Sequence, residues 1–138
     1  MTATIVYFSS TGNTTAMADA ISAAAGIPAI DVADASAADV LACDVIVLGC
    51  SAMGAEELDA DYMEPLFSEI EGKLSGKKVA LFGSYGWGDG EWMRTWFDRC
   101  VDGGAEMIQS EGLMANEYPN DDALAACAAL GEQIKGLL

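Results

Sequence analysis

The sequence contains no histidine, and none of its four cysteines has a partner at CxxC spacing. The absence of histidine excludes histidine-dependent acid–base catalysis and triad chemistry. The isolated cysteines argue against zinc and iron–sulfur frameworks. Free thiols are typical of a reducing cytosol, so the sequence predicts a cytoplasmic protein.

Basic residues are also scarce. Six Lys and Arg stand against 22 Asp and Glu, which gives a net charge of −16. This charge repels nucleic acid and anionic membrane surfaces, so neither is an expected partner. It attracts proteins with basic docking patches, although solubility alone is an alternative explanation for the acidic excess.

Long apolar segments are missing as well. No run reaches the roughly 18 to 20 uninterrupted apolar residues of a membrane span. The opening segment Met1–Val6 has no basic n-region, so we interpret it as the start of a strand and not as a signal peptide.

The 138 residues are enough for one domain, 1–138, and 52% of them are hydrophobic, which is sufficient for a substantial core. Short apolar runs predict five strands: Ala3–Phe8, Ile27–Val32, Asp44–Gly49, Lys78–Gly83 and Ala105–Gln109. Helical patterns between and after them predict five helices: Asn13–Ala25, Ser36–Leu41, Tyr62–Ile70, Glu91–Val101 and Asp121–Leu137. This alternation predicts an α/β fold, a doubly wound parallel sheet with helices on both faces. Ligands of such sheets bind beyond the carboxyl ends of the strands.

The loop after the first strand, Ser9-Ser10-Thr11-Gly12-Asn13-Thr14, opens a helix with six consecutive small polar residues. The start of a helix offers free backbone N–H groups and a positive dipole end, which suits a phosphate monoester. The loop contains no lysine or arginine and no Walker A pattern, which argues against nucleotide hydrolysis. A simple polar N-cap is the alternative.

The loop after the third strand, Gly49–Glu57, carries Met53 among small and acidic residues. A methionine in this setting is predicted to cover a flat ring, because its side chain is apolar and flexible. The alternative is that Met53 folds back onto the edge of the sheet.

The loop after the fourth strand, Ser84–Gly90, holds Trp87 between two glycines. This setting favours an aromatic platform for a planar ligand over ordinary core packing. The glycines do not form a GxGxxG fingerprint, so a nicotinamide dinucleotide site is weakly supported. Trp92 and Trp96 lie four apart on the next helix and are predicted to pack in the core.

Together, the phosphate-type loop, Met53-Gly54 and the segment Tyr85–Met93 resemble short-chain, clostridial-type flavodoxins over nearly the whole chain. The resemblance implies a five-stranded sheet in the order 2-1-3-4-5 and bound FMN. It also implies a monomeric, low-potential one-electron carrier that is not an enzyme. Its partners would be redox enzymes with basic docking surfaces, namely ferredoxin-type donors and acceptors.

The resemblance also assigns roles by position. The phosphate ligands would be Ser9, Thr11, Gly12, Asn13, Thr14 and Ser51. Met53 and Trp87 would cover the two faces of the flavin, and Glu56 would accept a hydrogen bond from flavin N3–H. Gly86 and Asp89 would supply backbone donors, and Ser84 and Asn116 would contact the ribityl chain. The remaining predicted binding residues are Ser10, Ala52, Gly54, Ala55, Tyr85 and Gly88.

Ala55 departs from the family pattern, in which a polar residue often follows the turn glycine. In a turn of Met53 to Glu56, glycine at the second position suits type II′, whereas type II would need positive φ at Ala55. We therefore expect a turn biased towards the form in which the Gly54 carbonyl points at flavin N5.

A hydrogen bond from flavin N5–H to the Gly54 carbonyl would stabilise a blue neutral semiquinone. The surrounding acidic charge predicts a low potential for the second electron. An acidic stretch after the flavin loop is expected to form a rim for basic partners: Glu56, Glu57, Asp59, Asp61 and Glu64. A solvated helix face is the alternative for this stretch.

Two other functions fit the same fold. One is a flavin-dependent NAD(P)H:quinone reductase. The other is a signalling receiver domain, which would need acidic residues where this chain has Ser9 and Gly49. Cys50 lies near the predicted site and is expected to be a packing residue.

Overall fold

A parallel β-sheet forms the centre of the computed structural model, which describes residues 1–138. Its strands are β1 (Ala3–Phe8), β2 (Ala29–Asp31), β3 (Val45–Cys50), β4 (Lys78–Tyr85), β5 (Glu106–Met107) and β6 (Leu113–Asn116). The helices are α1 (Asn13–Ala25), α2 (Ala37–Leu41), α3 (Met63–Ile70), α4 (Glu91–Asp102) and α5 (Asp121–Lys135). Short 3-10 turns follow β2 and α3, at Val32–Asp34 and Glu71–Lys73.

The strand order is β2-β1-β3-β4-β5, and every pairing is parallel. Val6 pairs with Leu48, and Leu48 pairs with Leu81, so the three central strands end at one edge of the sheet. The predicted five-position order 2-1-3-4-5 is confirmed. All the loops that follow these strands therefore open at the same carboxyl edge.

The fifth position of the sheet differs from the predicted single strand Ala105–Gln109. It is divided between β5 and β6, which both pair with β4. Between β5 and β6, the Gln109 side chain replaces a backbone acceptor of the sheet, because its Oε1 accepts the Leu81 N–H at 2.9 Å. The chain then rejoins the ladder at Leu113, which the strand prediction missed, and this second part carries Asn116 to the carboxyl edge.

Side chains alternate between two apolar layers because successive strand residues point to opposite faces. Ile5 packs with α1 and α5, whereas Val6 packs with α3 and α4 on the other face. Trp92 and Trp96 are each 1% exposed in the second layer, which confirms their predicted core placement. Burial of such a large side chain typically contributes about 2–3 kcal/mol.

Helix starts follow the side chains that cap them. The Asn120 Oδ1 accepts the Ala123 N–H at 2.8 Å and so caps the start of α5. Ser36 caps α2 from outside the helix and was wrongly placed within it. Tyr62 was also predicted inside α3, but the Asp59 Oδ2 accepts its N–H at 2.7 Å, and the helix begins one residue later.

Arg99 connects α4 to α3 and to the turn that follows α3. Its guanidinium pairs with Glu64 at 2.7 Å and with Glu71 at 2.8 Å, and it lies over the Phe67 ring, 4.8 Å from the centroid. The hydrogen bonds from Arg99 lower the pKa of both carboxyl groups. The pairs are partly exposed, so solvent screening limits their strength.

We expect Arg99→Gln to lower the free energy of unfolding by about 1 kcal/mol at pH 7. Carboxyl groups with a lowered pKa stabilise the fold above their unfolded pKa, and this contribution is lost as they are protonated. The difference between wild type and variant should therefore shrink below about pH 4.3. Urea unfolding from pH 7 to pH 3 measures it. Arg94→Gln, which breaks a fully exposed pair, is the matched control, and a difference independent of pH would contradict the assignment.

Candidate functional site

The loops that follow β1, β3, β4 and β6 enclose a cleft of about 490 Å³ at the carboxyl edge. It is lined by Ser10, Thr11, Asn13, Ser51, Ala52, Ser84, Tyr85, Gly86, Glu117 and Tyr118. A second depression of about 460 Å³ is lined by Ala55, Glu56, Trp87, Gly88, Asp89 and Glu91. The structure thus brings the predicted loops together, and it adds Glu117, Tyr118 and Glu91, which were not predicted as site residues.

The first loop is braced from within by Ser9. The Ser9 Oγ accepts the Gly12 N–H at 3.0 Å and the Thr15 N–H at 3.2 Å. Gly12 has a φ of 91°, a left-handed conformation that glycine adopts without steric penalty. Ser9 therefore supplies the polar cap, while Ser10, Thr11 and Asn13 of the same loop line the cleft.

Three backbone N–H groups at the start of α1 have no acceptor in the protein. They belong to Thr11, Asn13 and Thr14, and no side chain caps the helix at Gly12. Unpaired amides at a helix N-terminus are the usual cradle for an anion, because they combine hydrogen-bond donors with the positive end of the dipole.

Buried hydroxyl groups connect the three loops beneath the cleft. The Thr14 and Ser51 hydroxyls are 2.8 Å apart, and the Thr14 Oγ1 also accepts the Ser84 N–H at 3.2 Å. All three residues are at most 5% exposed. Thr14 does not line the cleft, so its side chain positions the loops, while Ser51 and Ser84 border the open space.

The second loop forms a tight hairpin. The backbone N–H and C=O groups of Met53 and Glu57 form two mutual hydrogen bonds, at 2.9 and 2.8 Å. The turn therefore runs from Met53 to Glu57, and the predicted turn from Met53 to Glu56 is wrong because it is one residue too short. Gly54 has a φ of 52°, and Glu56 has an unforeseen φ of 56°. Ala55 is not at positive φ, as expected. Met53 is half-buried and packs with neither core layer.

The Glu56 carboxylate connects this hairpin to the start of α4. Its Oε1 accepts the Asp89 N–H at 2.8 Å and the Gly90 N–H at 3.3 Å, and its Oε2 accepts the Trp92 N–H at 3.1 Å. A negative group at this helix end is stabilised by the dipole. The carboxylate leaves no room for a side chain at Gly88, where a Cβ would overlap Oε1. The Asp89 N–H, predicted to face the flavin, is directed at Glu56.

Trp87 is 69% exposed, so ordinary core packing does not explain it. Its loop is held from the other side by Asn116, whose Nδ2 donates to the carbonyls of Tyr85 at 3.2 Å and Gly86 at 3.1 Å. The Tyr85 ring in turn packs against Trp92, with the centroids 5.6 Å apart. The backbone of the Trp87 loop is thus held in place by Asn116 and Tyr85, while the Trp87 side chain faces solvent.

Charge at this edge is almost entirely negative. Arg94, in the first turn of α4, is the nearest basic residue in sequence to the three loops, and it pairs with Asp89 at 2.9 Å. That hydrogen bond lowers the pKa of the Asp89 carboxyl group. No group of side chains could hold a metal ion.

The predicted acidic rim is smaller than expected. Asp59 is 4% exposed and bonded to the start of α3, and Glu64 is paired with Arg99, so neither faces outward freely. Glu57 and Asp61 are exposed. The rim therefore depends on fewer carboxylates than the sequence stretch contains.

Cys50, beside the hairpin, is fully buried, and burial raises the pKa of its thiol to about 12. A thiol in this state is a poor nucleophile, in keeping with the expected packing role.

Sequence comparison agrees with this architecture. The family model described as Flavodoxin matches residues 5–131. This chain belongs to the flavodoxin family. A flavodoxin from Megasphaera elsdenii is 49% identical over 133 residues, which cover 93% of this chain and 94% of that protein. A flavodoxin from Clostridium beijerinckii is 42% identical over 138 residues, covering 96% and 99%.

Solved flavodoxins share the fold. The solution structure of two-electron reduced Megasphaera elsdenii flavodoxin matches with a TM-score of 0.80 at 47% identity and covers 97% of this chain and 98% of that one. A flavodoxin from the domain Archaea matches with a TM-score of 0.87 at 28% identity, covering 99% and 98%. The expected family resemblance is confirmed.

As a flavodoxin, the protein is an electron carrier with a flavin cofactor and redox partner proteins, and not an enzyme. The residues present fit such a cofactor, since unpaired amides, an open cleft and an exposed aromatic plane adjoin one another. No helix combines the length and the apolar character that a membrane crossing requires.

Proposed function

We propose that this flavodoxin binds FMN non-covalently and transfers single electrons at low potential between cytoplasmic redox enzymes, as a monomer. The observation that carries the proposal is the set of unpaired amides at Thr11, Asn13 and Thr14 beside the open cleft. When bound, the flavin supplies the one-electron chemistry, and the protein sets its energetics.

The phosphate end would be held by neutral donors alone. The amides of Thr11, Asn13 and Thr14 are free to donate, and Ser10, Thr11 and Ser51 bring hydroxyl groups to the cleft. Hydrogen bonds to a charged acceptor contribute about 1.5–3 kcal/mol each. Several of them, together with the helix dipole, can compensate for the absence of a lysine or arginine.

The ring end would lie between Met53 and Trp87. The Glu56 carboxylate already accepts three N–H groups, but its two oxygens have about four lone-pair sites, so one site is left for flavin N3–H. The Gly86 N–H has no acceptor in the protein and is available to the ring. The Gly54 carbonyl, in the hairpin, would accept a hydrogen bond from a protonated flavin N5.

The charge of the chain would set a low potential for the second electron. Reduction adds negative charge beside a phosphate dianion in a protein of net charge −16. One carboxylate about 10 Å away disfavours that charge by roughly 1–2 kcal/mol at an effective dielectric near 20. For a one-electron step, about 1.4 kcal/mol corresponds to about 59 mV. A few carboxylates would therefore separate the two one-electron potentials.

The partners would be redox enzymes with basic docking surfaces, ferredoxin-type donors and acceptors among them. Glu57 and Asp61 are exposed beside the hairpin, and the exposed Trp87 would lie at the other side of the bound ring. Complementary charge raises association rates at low salt. An association rate that does not respond to salt would count against this docking mode.

Three measurements test the proposal. The purified protein should have the visible absorption of a flavin, and its apoprotein should bind FMN in isothermal titration calorimetry. Redox titration should then resolve two separate one-electron steps. A colourless protein that does not bind FMN, or a single two-electron step, would refute it.

Trp87→Ala should raise the Kd of the apoprotein for FMN by about tenfold. Stacking of an aromatic side chain on a planar base is worth about 1–3 kcal/mol when measured by alanine substitution. Calorimetric titration of both apoproteins measures the change. Tyr62→Ala is the matched control, because Tyr62 is 51% exposed but lines neither part of the site. Equal affinities for wild type and Trp87→Ala would show that Trp87 does not stack on the ring.

A further inference from the structure

The segment that follows β6 places an exposed aromatic side chain at the cleft. Tyr118 is 65% exposed and packs in neither core layer. It nevertheless lines the same cleft as Ser10, Thr11 and Asn13, the polar residues at the start of α1. Core packing therefore gives no reason for a tyrosine here, whereas the neighbouring cleft does.

The backbone around Tyr118 is fixed on both sides. The Glu117 N–H donates to the Tyr85 carbonyl at 2.7 Å, and the Glu117 carbonyl accepts a hydrogen bond from the Ser84 hydroxyl. Glu117 has a φ of 58°, a conformation that costs energy for any residue other than glycine and is found at ligand clamps. Pro119 then restricts Tyr118 to extended conformations. The segment thus holds the phenol at the cleft.

The chemistry of the cleft suits an added neutral donor. None of its lining residues is basic, so the cleft can stabilise a dianion only through hydrogen bonds from N–H and O–H groups. A tyrosine combines a flat apolar ring with a hydroxyl that donates a hydrogen bond. A hydroxyl bound to a charged oxygen forms a stronger hydrogen bond than one bound to a neutral group.

We propose that Tyr118 is a cofactor-binding residue whose phenolic O–H donates to the phosphate, so that it favours phosphorylated over unphosphorylated flavin. This inference depends on the proposed FMN site and extends it to a residue that was not predicted as a ligand.

Calorimetric titration of the apoproteins with FMN and with riboflavin tests the assignment. Tyr118→Phe keeps the ring and removes only the donor, so it should raise the Kd for FMN by about five- to tenfold. The Kd for riboflavin should change by less than about twofold, because riboflavin lacks the phosphate. Tyr62→Phe is the control and should change neither value.

Inorganic phosphate gives an independent readout without a flavin. It should raise the thermal midpoint of the wild-type apoprotein, and the increase should be smaller for Tyr118→Phe. An unchanged Kd for FMN in Tyr118→Phe, or an equal loss for FMN and riboflavin, would overturn the donor role while leaving the FMN site intact. A wild-type apoprotein that does not bind FMN would overturn the proposed function and this inference with it.

Discussion

Gly83→Ala is expected to lower the free energy of unfolding of the apoprotein by about 3 kcal/mol, at the upper end of the range for overpacked cores. Gly83 lies in β4, where a Cβ would overlap the Cys50 carbonyl oxygen and lie 3.0 Å from the Trp92 indole. Neither neighbour can move freely, because the Trp92 Nε1–H donates to the same carbonyl at 3.1 Å. The methyl group would therefore push β3 and β4 apart at the edge that supports the site.

Urea unfolding of the apoprotein measures this effect. Gly72→Ala is the control, since a Cβ at Gly72 meets nothing within 4 Å and its φ is not positive. That variant should stay within about 0.5 kcal/mol of wild type, as most surface substitutions do. A Gly83→Ala protein within about 1 kcal/mol of wild type would mean that the two strands yield more readily than their contacts indicate.

Glu56→Gln should destabilise the apoprotein by about 2 kcal/mol, because it removes a charge-assisted hydrogen bond and the dipole interaction at the start of α4. A carboxylate accepts at both oxygens, whereas an amide accepts only at one and presents an NH2 group at the other. In either orientation, the NH2 would face the N–H of Asp89 or that of Trp92, now at 2.8 and 3.1 Å from the carboxylate. The released N–H should also exchange faster with deuterium.

The neighbouring variant Glu57→Gln separates this role from general acidity. Glu57 is exposed, and its side chain forms no hydrogen bond within the protein, so the same loss of charge should leave stability nearly unchanged. If the two variants unfold alike, or if amide exchange at the start of α4 is unaltered in Glu56→Gln, the connection between the hairpin and α4 carries no measurable energy.

The central strands and helices were predictable from sequence because they depend on local patterns, whereas the strand order was implied by the family resemblance. The apolar run Val45–Leu48 predicted a buried strand and is one, and α1 begins and ends as predicted, at Asn13 and Ala25. The division of the last strand was not predictable. It depends on Gln109, whose side chain replaces a backbone acceptor, and such a contact across strands leaves no periodic signal in the sequence.

The site shows the same distinction. The unpaired amides at the start of α1 follow from the local pattern of a strand, a polar loop and a helix. The direction of the Glu56 carboxylate depends on α4, more than 30 residues further along the chain. The acidic stretch likewise appeared uniform in the sequence, and only the fold separates buried Asp59 from exposed Asp61.

The three tryptophans provide built-in optical reporters of two separate regions. Trp92 and Trp96 are shielded from solvent, whereas Trp87 is 69% exposed. A neutral quencher such as acrylamide should therefore suppress the red-shifted part of the emission first, and Trp87→Phe should abolish that component. The remaining blue-shifted emission would follow unfolding of the core independently of events at the flavin platform.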